Sequence, residues 1–177
     1  QHDGAASERL AARGQNTGNP SARLNMNICY FHFFDMEVGL LSQYFLHSRM
    51  CKSWGYQVLA KAIFDESVDE MKHADKIIER ILFLDGDPHL SGPDRLMIGT
   101  NVRQQLENDL ALEMAALQVL NPGVQLCIEL QDNGSRELLE RITVDEERHV
   151  GWLEEQLHKI SELGYENYLA EQVREKS

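Results

Sequence analysis

Proline, cysteine and positive charge are all scarce in this chain of 177 residues. It has four prolines, three cysteines, and 17 lysines and arginines against 29 aspartates and glutamates. Cys29, Cys51 and Cys127 are odd in number and form no C-x-x-C pair, which excludes a disulfide framework and a thiolate metal site and points to reduced, partly buried thiols in an intracellular protein. A net charge of −12 argues against a nucleic-acid partner and suits traffic in cations. No apolar run approaches the ~20 residues needed to cross a bilayer, so no membrane partner is expected. What remains, 42% hydrophobic and 26% charged, is enough for one good core, most economically a single domain.

Residues 1–22 differ from the rest, being rich in Gly, Ser, Asn and Gln with almost nothing apolar. They bury too little to offset their ordering entropy and read as a flexible N-terminal extension to a domain over 23–177. Arg9, Arg13 and Arg23 against Asp3 and Glu8 give this region a faint transit-peptide flavour, but it lacks the apolar segment of a secretory signal.

From residue 24 a 3.6-residue period takes over, in four stripes. The first runs Tyr30, Phe34, Glu37, Leu41, Tyr44, and the second Leu59, Ile63, Glu66, Glu70, His73, Ile77, Ile81. The third is Leu106, Leu110, Glu113, Leu117, Leu120, Val124, Cys127, and the fourth Leu139, Ile142, Glu146, His149, Leu153, Leu157, Ile160. Short breaks at Ser53–Gly55 and Asn133–Gly134 make two antiparallel hairpins. The Gly- and Pro-containing stretch 85–100 is long enough to run the length of a bundle, so the hairpins pack parallel to one another. Gly164 ends the fourth helix, and Tyr165–Val173 reads as a short fifth.

Glu-x-x-His occurs twice, as Glu70–His73 and Glu146–His149, and each copy follows a lone glutamate, Glu37 or Glu113, by 33 residues. All six occupy positions where the stripe asks for Leu or Ile. Buried carboxylates cost several kcal/mol each unless paired or metal-bound, and four together repel one another without cations. Two divalent metals restore neutrality. Four carboxylates and two imidazoles on a helical bundle are the ligand set of a dinuclear iron or manganese site, and thiolate-free ligation favours iron or manganese over zinc. Glu70 and Glu146, each beside a histidine, are the natural bridges, and Glu37 and Glu113 the terminal ligands. Tyr44, seven residues after Glu37, is a candidate hydrogen-bonding neighbour of the centre. Asp65 and Asp69 form an i, i+4 acidic pair that, with Tyr44, is a candidate neighbour of the centre and could hold a secondary cation, though it reads first as a solvated face. Met71 lies about 100° off the ligand stripe and reads as packing. The remaining histidines, His2, His32, His47, His89 and His158, read as surface or satisfied polar groups.

The segments QYFLHSRM (43–50), DESVDEMKHADKIIERILFLDGDPHL (65–90), NDLALE (108–113) and DEERHVGWLEEQL (145–157) resemble the bacterioferritins, over about residues 24–175. The resemblance implies an all-α, ferritin-like four-helix bundle with a long crossover between its second and third helices and a short C-terminal fifth helix, assembled as a homo-oligomeric shell of twenty-four subunits built from two-fold dimers. It implies an iron-storage ferroxidase in the cytoplasm that oxidises Fe(II) at a di-iron site, two irons per subunit. The ligands fall on the same six residues, Glu37, Glu70, His73, Glu113, Glu146 and His149. The family's haem methionine falls on Met71, one from each of two subunits holding a b-type haem. An electron donor such as a ferredoxin is expected for iron release. Three features depart from the pattern: the aromatic start of the first helix (24–37), an aspartate at 65 where the family commonly has a cavity-wall histidine, and Asn121-Pro122-Gly123 inside the third helix, where Pro122 predicts a kink with Glu113 still in place.

Two alternatives follow from the same residues. One is another di-iron or di-manganese oxidoreductase on this bundle; the short chain and lack of C-x-x-C count against an oxygenase or a rubrerythrin. The other is a haem-bearing structural subunit mixed with a second bacterioferritin chain, against which the complete ligand set counts.

Overall fold

The computed structural model describes residues 20–92 and 96–173, with side chains described from Tyr30 onward. The expected flexible stretch therefore lies outside the described residues up to 19, as does the Cys29 thiol. Helix α1 runs Pro20–Ser53, α2 Gln57–Phe83, α3 Val102–Glu129, α4 Asn133–Leu163 and α5 Tyr165–Glu171. The backbone of α1 thus begins three residues before the expected domain start. Among the described residues all regular structure is helical.

The turn after Ser53 makes α1 and α2 an antiparallel hairpin, and α3 and α4 repeat the arrangement; α1 packs on α3 and α2 on α4. The second turn falls at Leu130–Asp132, just before the expected Asn133–Gly134. Gln131 takes the left-handed conformation at φ 57°, and Asp132 caps α4 by accepting the Ser135 amide at 3.1 Å. A capping carboxylate outweighs the turn preference of Asn-Gly. Gly164, at φ 80°, ends α4. Helix α5 docks through buried Tyr168, whose hydroxyl donates to Gln156 at 3.2 Å, and the Val58 amide donates to the Gln172 carbonyl at 3.0 Å.

The crossover is held by a polar pillar that sequence spacing does not reveal. The Met97 amide donates to Gln43 Oε1 at 2.9 Å, and the Gly99 amide donates to His47 Nε2 at 3.3 Å. With Nε2 accepting, His47 Nδ1 is the donor to Asp109, at 2.8 Å, and Gln43 Nε2 donates to the same carboxylate at 2.8 Å. All three side chains are buried, and each satisfies another. The expectation that His47 is a satisfied polar residue holds, in the interior and not at the surface.

Helix α3 is the one described helix long and apolar enough, by length and composition, to cross a membrane. It carries Asp109 and Glu113 on its buried face, tied to α1 by hydrogen bonds, as befits a bundle helix. It stays helical through Pro122. At Gly123 an added Cβ would lie 2.3 Å from Phe33 Cζ. The aromatic start of α1 and the interruption in α3 are therefore one packing feature: α3 gives up a side chain where α1 inserts a ring.

Two apolar clusters fill the bundle. Leu40, Tyr44, Leu59, Ile63, Leu106 and Leu153 belong to one, and Tyr30, Phe33, Ile77, Ile81, Leu120 and Leu139 to the other. Along α1, α2 and α4 the stripe glutamates and histidines fall between these clusters, and on α3 Glu113 lies between Leu106 and Ala116 of the first.

Candidate metal centre

Each of the four long helices contributes to a polar layer enclosed by hydrocarbon. Helix α1 supplies Glu37, α2 Glu70 and His73, α3 Glu113, and α4 Glu146 and His149. Five of these are at most 1% exposed, and His73 is at 7%. The structure brings all six together in two overlapping groups. Glu37, Glu70, His73 and Glu146 form one, and Glu70, Glu113, Glu146 and His149 the other, with ligand atoms in each within 4.8 Å of one another.

The groups share Glu70 and Glu146, and each of these divides its oxygens. His73 Nδ1 lies 3.3 Å from Glu70 Oε2 and 3.1 Å from Glu146 Oε1. His149 Nδ1 lies 2.9 Å from Glu70 Oε1 and 3.0 Å from Glu146 Oε2. Glu37 Oε2 stands 3.4 Å from His73 Nδ1, and Glu113 Oε1 3.3 Å from His149 Nδ1. One carboxylate oxygen toward each imidazole is the disposition of a bridge, and Glu37 and Glu113 each serve one end. The equal 33-residue intervals set the lone glutamate and the Glu-x-x-His of each hairpin at the same height.

Both Glu37 oxygens, Glu70 Oε1, Glu113 Oε2 and Glu146 Oε1 are buried yet accept no well-directed hydrogen bond. Such atoms carry a large desolvation cost, and a hard cation at each end of the layer relieves it; the donor set fits two. The electrostatics agree. Burial alone would lower His73, but the carboxylates of Glu146, Glu37 and Glu70 raise it far above the usual imidazole range. His149 is raised in the same way, against burial, by Glu113, Glu146, Glu66 and Glu70. Burial pushes Glu37 and Glu113 well above the ordinary carboxylate range. Glu146 goes the other way: burial would raise it, but His149 and His73 hold it down to about 2. Metal-free, the imidazoles thus hold protons where cations fit.

Tyr44 donates its hydroxyl to Glu113 Oε1. Burial, and then the charge of Glu113, raise the phenol far above its usual range. The acidic pair divides. Asp65 pairs with Lys61 at 2.6 Å, whereas Asp69 pairs with Lys72 at 2.6 Å and Arg148 at 3.0 Å. The acid that joins Asp69 beside His149 is Glu66. Spacing put Glu66 on the second stripe without a role. Asp145, which also approaches the centre, lay on no stripe.

Met71, next to Glu70, is 52% exposed and points out of the bundle. Seven residues earlier on the same helix is Phe64, whose ring lies 6.3 Å from that of Phe45, itself 42% exposed. The Met71 thioether is therefore available to a group outside the bundle. Of the cysteines, Cys51 and Cys127 are buried, and neither belongs to the ligand groups.

Comparison with known proteins agrees with this geometry. The ferritin-like domain description matches residues 34–163. The chain is 47% identical over 137 residues to the bacterioferritin of Mycobacterium bovis, covering 77% of this chain and 86% of that protein. The same figures apply to bacterioferritin BfrA of Mycobacterium tuberculosis. With the bacterioferritin of Brucella melitensis the identity is 39% over 151 residues, covering 85% and 91%.

Proposed function

Because this chain belongs to the ferritin family, among the bacterioferritins, we propose that it is an iron-storing ferroxidase whose six buried ligands bind two Fe(II) as substrate. The observation that carries this reading is the division of Glu70 and Glu146, one oxygen toward each histidine. Two ions bridged in this way give up one electron each. With dioxygen as acceptor, two Fe(II), one O2 and two protons yield two Fe(III) and one H2O2; with peroxide as acceptor, two further protons give two waters. The residues act as metal ligands and supply charge neutrality, with no general acid–base role required of them. Glu37 with His73 and Glu113 with His149 hold the ends of the pair, and Tyr44 fixes the Glu113 carboxylate.

Met71 supplies the thioether for a b-type haem shared with a second subunit, and the haem supplies electron transfer. The reading extends to a cytoplasmic shell of twenty-four copies and a ferredoxin-like donor for reductive iron release. The net charge of −12, multiplied over such a shell, suits iron accumulation. Asp65 and Asp69, each engaged with lysine or arginine, serve as a surface acidic patch.

Sedimentation of the purified chain, followed by aerobic Fe(II) loading, tests this function. A single large shell that keeps hundreds of irons in solution is expected. A monomer or dimer that precipitates ferric hydroxide would favour another dimetal oxidoreductase on the same bundle.

A further inference from the structure

Each ligand histidine is approached on its outer nitrogen by a carboxylate from the opposite hairpin. His73, on α2, has Nε2 3.3 Å from Oδ2 of Asp145 on α4. His149, on α4, has Nε2 2.7 Å from Oε2 of Glu66 on α2, an oxygen not aligned for a hydrogen bond in the metal-free centre, with an Arg148 guanidinium nitrogen 3.2 Å from the same Nε2. In both cases Nδ1 faces the shared carboxylates. The two rings stack with centroids 6.2 Å apart and planes 27° from parallel. A carboxylate on one ring nitrogen keeps the proton there and turns the other lone pair toward the metal.

The two contacts are not equivalents in the internal repeat. Asp145 immediately precedes the bridging Glu146, and the matching residue of the other hairpin is Asp69, immediately before Glu70. Asp69 is engaged by Lys72 and Arg148, and Glu66, one turn earlier, takes its place on His149. The surroundings differ too. Glu66 is 12% exposed against a fully buried His149. Asp145 is 46% exposed, and with His73 it lines a pocket of about 380 Å³ together with Lys72, Lys76, Arg141 and Arg148. The centre therefore has one end that meets solvent and one that does not.

Resting on the dimetal reading above, we propose that Asp145 and Glu66 are positioning residues for His73 and His149, respectively, and that the metal held by Glu37 and His73 is the one that exchanges through the pocket beside Asp145. A ligand imidazole deprived of its outer partner loses its preferred tautomer and orientation, which lowers metal affinity roughly 10–100-fold.

Co(II) tests this in the assembled, metal-free protein, because its visible absorption reports ligand geometry without any oxidation step. The parent chain is expected to bind two Co(II), and a chelator to strip one faster than the other. Asp145→Asn weakens one binding step roughly 10–100-fold and speeds only the fast stripping phase. Glu66→Gln weakens the other step. In a His73→Ala background, Asp145→Asn has no further effect on binding, because the residue through which it acts is gone. Unchanged helicity and assembly of the variants keep misfolding out of the comparison. Two Co(II) bound with parental affinities in both variants overturn the positioning roles alone. Equal weakening of both steps by either variant also overturns them, and failure of the parent to bind two Co(II) overturns the dimetal reading together with this one.

Discussion

The phenol of Tyr44 on α1 donates a hydrogen bond to Oε1 of Glu113 on α3, across 69 residues of sequence. It is a structural tie between the hairpins made through a candidate metal ligand, so its worth depends on whether metal is present. In the metal-free protein, Tyr44→Phe leaves a buried carboxylate short of a donor, at a cost of about 1–3 kcal/mol. With metal loaded, the ion takes part of that burden and the cost shrinks. Urea unfolding of both variants, with and without Co(II), measures the difference. An equal loss in both states would detach Tyr44 from the centre.

Metal loading is expected to release protons. In the metal-free centre the carboxylates raise His73 and His149, against burial, far above the ordinary imidazole range. Burial raises Glu37 and Glu113. Metal ligands must be deprotonated, so protons compete with metal, and affinity rises with pH and is lost as pH falls. Titration calorimetry in two buffers of different ionisation enthalpy reads the released protons directly. Identical heats in the two buffers would contradict it.

Gly123 and Phe33 predict a steric effect far from any ligand. Gly123→Ala places a methyl group 2.3 Å from Phe33 Cζ, an overpacking cost of about 1–3 kcal/mol. Phe33→Leu in the same chain recovers part of it. Chemical denaturation of the two single variants and the pair gives the coupling, and additive effects would mean that the ring and the glycine do not meet.

Met71→Leu separates haem from iron chemistry. The side chain is exposed and lies off the ligand stripe, so the variant is expected to lose the haem Soret band while keeping assembly and Fe(II) oxidation. Retention of the Soret band after substitution would remove Met71 as the axial ligand.

Much of the centre was legible because an ionisable residue on an apolar helical stripe is conspicuous. Glu37, Glu70, His73, Glu113, Glu146 and His149 stood out in that way, and equal intervals put them at one height. Glu66 lay on a stripe too, but a polar residue there looks the same whether it binds metal or holds a ligand. Asp145 and the Gln43–His47–Asp109 pillar depend on which helices face one another and at what register, and no single-helix period carries that information. The second turn was misplaced by a few residues because Asn133–Gly134 is a strong turn signal, while Asp132, one residue earlier, is the better helix cap. Phe33 and Gly123 were visible as two oddities; their contact required the packing of α1 on α3.

The most direct test is a stopped-flow titration of the metal-free protein with Fe(II) in air, following ferric absorbance. A shared pair of bridges predicts a fast phase whose amplitude saturates at two irons per chain and which Glu70→Ala or Glu146→Ala abolishes. A slow, unsaturating rise in the parent protein would contradict a working dimetal centre, whatever the geometry of its ligands.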